Sequence, residues 1–431
     1  MNRINVFTFG CAKNLYDSEI LMGKIQQTGY EIVHEKELIE NDIVIVNTCG
    51  FINDAKQESV DAILEFVEKK KEGIINNVLV FGCLSERYKL ELQREIPEIT
   101  DFFGVFSFDE IIKAIEPSIK IPKGYSRKLS TPSHYAYLKI SDGCDQKCSF
   151  CAIPLIKGKH KSVEISNLIE EAHWLAERGV KELILVSQDT SSYGLDIYGK
   201  RKIVELVSGI LEINELDWIR LHYLYPTGLP LELIDQIASE KRICKYIDLP
   251  FQHISSNVLK AMRRNFNSAK TYKLIEEIKK RLPEASLRTT LLVGHPGESD
   301  EDFEELCDFV RQVEFDRLGV FEYSDEDGTF AFQMKDKVGR HQIKERAAII
   351  MNIQQQIAEK KNKALVGKKL KVLIDRNDGD YYVGRTEFDS PEVDNEVLIK
   401  SKDILKTGEF YFVEVTGYAF HDLYAKVVVN D

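Results

Sequence analysis

No apolar run in this chain approaches the roughly 18 residues that suggest a membrane span, which removes membrane-embedded enzymes and channels from consideration. The opening residues, Met1-Asn-Arg-Ile-Asn-Val-Phe-Thr-Phe-Gly10, lack the long apolar core of a signal peptide and lead directly into a strand-like run. A basic excess is missing too. Lys and Arg number 58 against 70 Asp and Glu, a net charge of −12. Tight binding to nucleic acid through a wide basic face needs the opposite balance, although a local basic patch stays open. Eight cysteines in 431 residues are too few for a dense disulfide framework, so a reducing cytoplasm is the expected compartment. There, clustered thiols point to metal ligation rather than cross-links. The remaining composition, 43% hydrophobic and 30% charged, is that of a globular protein, and the length predicts two or three domains.

What is present is a dense thiol motif, Asp142-Gly-Cys-Asp-Gln-Lys-Cys-Ser-Phe-Cys-Ala-Ile-Pro154. Cys144, Cys148 and Cys151 form a CxxxCxxC loop with no fourth Cys or His nearby before His160. A structural zinc ion takes four ligands, usually as two separated pairs. Three thiolates on a [4Fe–4S] cube would leave one iron open to bind something else. Zinc remains the competing reading.

Residues 1–120 repeat one plan: an apolar strand, a small residue and a cysteine, then a helix. Ile4–Phe9 runs into Gly10-Cys11 and a helix over Asp17–Thr28. Asp42–Val46 runs into Asn47-Thr48-Cys49 and a helix over Ala55–Lys71, and Asn77–Phe81 runs into Gly82-Cys83. The alternation predicts a parallel sheet, whose ligand sites lie beyond the carboxyl ends of its strands. Cys11, Cys49 and Cys83 should therefore converge at one edge as a second three-thiolate site. The alternative is that they are inert core cysteines.

After a Pro- and Lys-containing linker, Pro117–Pro132, residues 130–362 read as six β/α units of an open barrel, closed off by one long helix over Ile343–Leu365. The Cys144–Cys151 loop follows the first strand, where catalytic loops of such barrels lie. Other strand ends are polar and are candidate cofactor contacts: Ser187-Gln188-Asp189, His222–Pro226, Gln252-His253 and Gly294-His-Pro-Gly-Glu298. The last lacks the Gly-Lys-Ser/Thr of a phosphate-binding P-loop; Gly294 and Gly297 either permit close backbone approach to a ligand or only make the turn. Phe150 could pack on an adenine or simply on the core. Cys244 and Cys307 have no partner spacing and read as bystanders. From 365 to 431 the pattern turns to five short strands, a small β-barrel of the kind that binds nucleic acids or proteins. Thirteen acidic and nine basic residues from Leu365 onward favour a basic protein partner over an RNA backbone, with ordinary solubilising charge as the bland alternative.

Four stretches carry a family resemblance: Thr8-Phe-Gly-Cys-Ala-Lys-Asn14, Asn47-Thr-Cys-Gly-Phe-Ile52, Gly82-Cys-Leu-Ser-Glu-Arg-Tyr88 and Cys148-Ser-Phe-Cys-Ala-Ile-Pro154. With them the whole chain resembles the radical S-adenosylmethionine (SAM) methylthiotransferases, in wording the branch acting on an aspartate of ribosomal protein uS12. It departs from that pattern at Ser162-Val163, where the family has Ser-Arg, and at His295, where it has Phe. The resemblance implies an α/β protein: a parallel-sheet cluster domain, a partial (β/α)6 barrel and a small OB-like TRAM β-barrel. It implies two [4Fe–4S] clusters. The one on Cys144, Cys148 and Cys151 would chelate SAM and cleave it to a radical. The one on Cys11, Cys49 and Cys83 would present sulfur, methylated by a second SAM, to the substrate carbon. It further implies a monomer served by an electron donor such as flavodoxin or ferredoxin. Two other functions compete: a transfer-RNA adenosine methylthiotransferase, and a non-enzymatic metal-binding scaffold of the translation machinery.

Overall fold

β-branched and aromatic runs build the N-terminal sheet. Its strands are β1 (Ile4–Thr8), β2 (Ile32–His34), β3 (Asp42–Thr48), β4 (Ile75–Gly82) and β5 (Phe102–Phe103). The computed structural model describes residues 3–122 and 124–428. Lys123 of the expected linker and Val429, the expected end of the last strand, lie outside that range. The five strands run parallel in the order β2-β1-β3-β4-β5. Alternate residues of the central strands face opposite layers. Ile43, Ile45, Leu79 and Phe81 pack with Leu21, Met22 and Ile25 of α1 (Ala12–Gln26). Val44, Val46, Val78 and Val80 pack with Ile63, Phe66 and Val67 of α2 (Asn53–Lys71) and with Leu84 and Leu92 of α3 (Cys83–Glu95).

One expectation needs correction. The first helix begins at Ala12, not Asp17, with Cys11 as its N-cap. The polar Lys13 and Asn14 concealed that first turn, yet both are buried against other parts of the fold. The linker is likewise not free. Arg127 is buried between Glu19 of α1 and Glu171 of the helix Ile165–Ala176, so it staples the two domains.

The barrel strands are β6 (Tyr135–Lys139), the short pair β7 (Ser141–Asp142) and β8 (Lys161–Ser162), then β9 (Glu182–Val186), β10 (Trp218–Leu221), β11 (Tyr246–Asp248), β12 (Ser286–Val293) and β13 (Arg317–Glu322). Parallel pairing joins β6, β9 and β10, a bridge between Ile219 and Ile243 carries it across, and β11, β12 and β13 complete an open arc of six strands. The sequence pattern predicts strands over Trp218–Leu224 and Tyr246–Pro250, and both end earlier. β10 stops before Leu224 because Tyr223 takes a positive φ of 57°, and β11 stops before Pro250, which has no N–H for the ladder.

The C-terminal strands β14 (Lys369–Asp378), β15 (Tyr381–Arg385), β16 (Val397–Lys400), β17 (Phe410–Tyr418) and β18 (Leu423–Val427) close into a barrel ordered β14-β15-β16-β18-β17. Its loop between β15 and β16 enters the amino-terminal end of the large barrel. Arg220 donates to the Glu387 carbonyl at 2.9 Å, Ser286 to the Phe388 carbonyl at 3.2 Å, and Tyr246 to Asp394 at 2.6 Å. Ser390 reaches His222 at 2.9 Å. At the rim, Glu182 lies buried between Arg220 and Arg385, at 2.7 and 2.8 Å. The small barrel thus stoppers one end and leaves the carboxyl ends of the strands as the mouth. Among the described residues no helix is long and apolar enough to cross a membrane.

Candidate active site

The three barrel cysteines sit on a loop whose ends are pinned by β7 and β8. Inside it, the Cys144 N–H donates to the Gly158 carbonyl at 3.1 Å and the Cys151 N–H to the Cys148 carbonyl at 3.2 Å. Gly143 is needed for this closure: its φ is +70°, and a Cβ there would lie 2.1 Å from the Lys159 carbonyl oxygen. The Ser149 N–H donates to the Met262 carbonyl at 3.0 Å, and Ala331 donates to the Ser149 carbonyl at 2.8 Å, which clamps the loop from outside. Arg264 directs Nη1 to Cys148 Sγ at 3.5 Å. Burial pushes the Cys144 thiol up to about 12 and raises Cys151 further. A desolvated thiol of this kind is inert on its own, whereas metal coordination removes its proton outright.

Cys11, Cys49 and Cys83 do converge. A Cβ on Gly10 would lie 2.9 Å from Cys49 Sγ, so the first cysteine turn passes directly over the second. Asn14 ties all three together from the first turn of α1. Its Nδ2 donates to the Phe9 and Thr48 carbonyls at 2.9 and 3.2 Å, and its Oδ1 accepts from Cys83 Sγ at 3.6 Å. Asn47 braces that helix by donating to the Asn14 carbonyl at 2.8 Å. Gly82 has a φ of +108°, and a Cβ there would meet Asn47 Oδ1 at 2.5 Å. Cys49 and Cys83 are buried and Cys11 is exposed. Burial raises Cys49 to about 11 and Cys83 to about 12. Desolvation also acts on Cys11, but the Lys13 ammonium and the N–H groups opening α1 outweigh it and lower that thiol.

The two trios share one seam. Cys83 packs with Val105, Ala152 and Ile156, and Ala152 directly follows Cys151. Lys157, at the exit of the barrel loop, is held by Asp17 of α1 at 2.8 Å. Among the described residues no three His, Cys, Asp or Glu side chains are gathered tightly enough for a single metal ion. A cube of four irons and four sulfides is larger than one ion and spreads its thiolates accordingly. Two sets of three thiols, each lacking a fourth, fit such a cube with an open corner.

The proposed cofactor contacts divide. Gln188 is half-buried, and its Oε1 is buried without a partner, a polar atom left for a ligand. Asp189 accepts from Gln146 Nε2 of the cysteine loop at 2.9 Å and caps Ser192. Phe150 packs with Val258, Met262 and Leu292, its ring edge-on to His295 at 6.4 Å. Ser187 is fully buried and bonded to Thr190 at 2.9 Å, which braces the strand end. Glu298 accepts from the Gly294 N–H and from Arg346, both at 2.7 Å, so it fastens its turn to the helix Arg340–Lys363. Gly294 is held there by Ile343, the nearest neighbour of its absent Cβ. Cys244 and Cys307 are buried in the barrel, away from both trios. Asn14, Asn47, Lys13 and Arg264 are site neighbours that spacing did not reveal. The signal for the first three was their place beside Cys11 and Cys49.

Family models match in three blocks: "Uncharacterized protein family UPF0004" over residues 3–104, "Radical SAM superfamily" over 138–310 and "TRAM domain" over 366–428. The ribosomal protein uS12 methylthiotransferase RimO of Christiangramia forsetii is 49% identical over 426 residues, covering 99% of this chain and 94% of the relative. That of Bacteroides thetaiotaomicron is 49% identical over 428 residues, covering 99% and 98%. Among solved structures, the radical SAM methyltransferase TsrM of Kitasatospora setae, with cobalamin and a [4Fe–4S] cluster bound, superposes with a TM-score of 0.54 at 15% identity over 75% of each chain. The cobalamin-dependent SAM radical enzyme OxsB gives 0.53 at 11% identity, covering 82% of this chain and 56% of that one. These two share the fold alone. Identity near one half across almost the full length is decisive, and the chain belongs to the ribosomal protein uS12 methylthiotransferases of the radical SAM superfamily.

Proposed function

We propose that this enzyme places a methylthio group on the β-carbon of an aspartate of ribosomal protein uS12, using two [4Fe–4S] clusters and SAM. The observation that carries the reading is the meeting of two cysteine trios across one seam, beneath the mouth of the barrel. A β-carbon hydrogen of aspartate is not acidic enough for a protein base. When bound, the clusters and SAM supply the radical chemistry that breaks this bond and the sulfur and methyl that replace the hydrogen.

The chain's own part is positioning. Cys144, Cys148 and Cys151 would hold one cluster, with Arg264 as a cation beside it, and Cys11, Cys49 and Cys83 would hold the other, framed by Asn14. SAM would be held at the strand ends, where Gln188 Oε1 lacks a partner and Phe150 lies beside the last cluster cysteine. Asp189, Ser187, Gly294 and Glu298 keep the wall in place. The stoppered far end excludes water from below. The eight cysteines, all free, support a reducing cytoplasm, where a carrier such as flavodoxin or ferredoxin delivers electrons to a monomeric enzyme.

Two experiments test this. Deleting the gene should remove the methylthio mass from uS12 and leave the transfer-RNA nucleosides unchanged; loss from transfer RNA instead would overturn the substrate. Alanine at any of the six cysteines should abolish product on uS12. Methylthiolation surviving in Cys49→Ala would sink the two-cluster mechanism.

A further inference from the structure

Three lysines are buried where the N-terminal domain meets the barrel mouth. Two are neutralised: Lys139 and Lys157 share Asp17, and Asp142 lies 2.6 Å from Lys139. Lys13 is the exception. It stands in the first turn of α1, two residues after Cys11, and is 8% exposed. Its ammonium lies 3.5 Å from the centre of the Tyr223 ring. Among the described residues it forms no ion pair with a carboxylate. The ionisable groups it faces are Tyr223, Cys11, Cys49 and His222, with Asp248 beyond them. Asp248 is already engaged by Arg288 at 3.0 Å and by the Tyr223 N–H at 2.9 Å.

Burying an ammonium without an anion is costly, and contact with one aromatic face recovers only part of that cost. Among the described residues its acidic neighbours are the Tyr223 phenol and the Cys11 and Cys49 thiols, and a carboxylate partner is missing. Its place is informative: Tyr223 follows β10 and Asp248 ends β11, both at the carboxyl end of the barrel, while Cys11 belongs to the N-terminal trio. An anion on Lys13 would therefore sit where the second trio faces the barrel mouth.

We propose that Lys13 is a specificity-determining residue that binds the side-chain carboxylate of the substrate aspartate, with the Tyr223 ring as the floor under the ion pair. This rests on the aspartate reading above. The γ-carboxyl is bonded directly to the reacting carbon, so anchoring it fixes where that carbon's hydrogens point. Selection follows as well, because a substrate without the carboxylate leaves the buried charge unanswered. The rival role is that Lys13 merely offsets the negative charge of the neighbouring thiolate-held cluster.

The test uses the reconstituted full-length enzyme and two peptides spanning the modified loop of uS12, one with the target Asp and one with Asn. Binding of each is measured by calorimetry without reductant, and methylthiolation by mass spectrometry with it. Lys13→Met should weaken the Asp peptide by about 10- to 100-fold, the range of a charge-assisted hydrogen bond, and leave the Asn peptide nearly unaffected. Lys13→Arg, which keeps the charge, should restore much of the preference. An unchanged cluster absorbance in both variants establishes that they fold around Cys11. Equal weakening of both peptides, or a shifted cluster potential with the Asp preference intact, would overturn the inference and assign Lys13 to the cluster. A wild-type enzyme that binds neither peptide overturns the aspartate reading, and the inference with it.

Discussion

Gly294 and Gly297 both take positive φ, +80° and +85°, in the turn that follows β12. Only one of them is crowded. A Cβ on Gly294 would lie 2.3 Å from Ile343 Cγ1, and Ile343 is itself buried in the helix Arg340–Lys363. A Cβ on Gly297 would meet nothing within 4 Å. Gly294→Ala should therefore cost about 2–4 kcal/mol through backbone strain plus overpacking. Gly297→Ala should cost about 1–2 kcal/mol through strain alone. Urea unfolding of the two variants separates them; equal midpoints would show that Ile343 can yield. In the sequence the pair read equally well as a ligand-approach loop or as a bare turn. Which glycine was irreplaceable depended on a helix about fifty residues away.

At the scale of elements, the joint between α1 and the barrel decides the geometry of the site. Desolvation opposes the charge of Asp17, but Lys139 and Lys157 outweigh it and hold the carboxyl below its usual range. Two residues further along that helix, Glu19 joins it to the barrel through Arg127 and Glu171. Asp17→Ala would leave two buried ammoniums with Asp142 alone, at a cost of about 3–5 kcal/mol. We expect calorimetry of the variant to show the N-terminal domain melting ahead of the barrel, with loss of methylthiolation as the trios drift apart. A single transition at the wild-type temperature would mean that other contacts join the domains. The strand–cysteine–helix plan of the N-terminal domain was readable because apolar runs of β-branched residues alternate with helical stretches. The start of α1 was not, since polar residues occupy its first turn: Asn14 is buried against strand-end carbonyls of its own domain and Lys13 against Tyr223 of the barrel.

For the whole molecule, the loop that stoppers the barrel brings a histidine into play. Burial pushes His222, bonded to Ser390 of that loop, down to about 3, and His253 to about 3 as well. Above pH 6.5 neither state binds these protons and neither histidine matters. Below it the unfolded chain takes them up and the folded chain does not, until about pH 3. Each histidine then removes about 1.4 kcal/mol of stability per pH unit. Together they should lower the unfolding free energy by about 2 kcal/mol between pH 6.5 and 5.5. Urea midpoints across that range check the slope; a flat profile would mean that the fold already holds both protons.

By itself the sequence determined the chemistry and the architecture. Three thiols at CxxxCxxC spacing, three more after successive strands, and a late change of period to short strands are local patterns, and local patterns are written in the order of residues. Only the tertiary structure decided which groups lie between the trios. Asn14 binds the cysteine turns together, Asp17 closes the seam, and among the described residues Lys13 is left without a carboxylate partner. These roles arise because residues far apart in the chain are forced into one desolvated space, where every charge must find a partner. Of the three buried lysines at that seam, only contact across the domain boundary separates the paired from the unpaired.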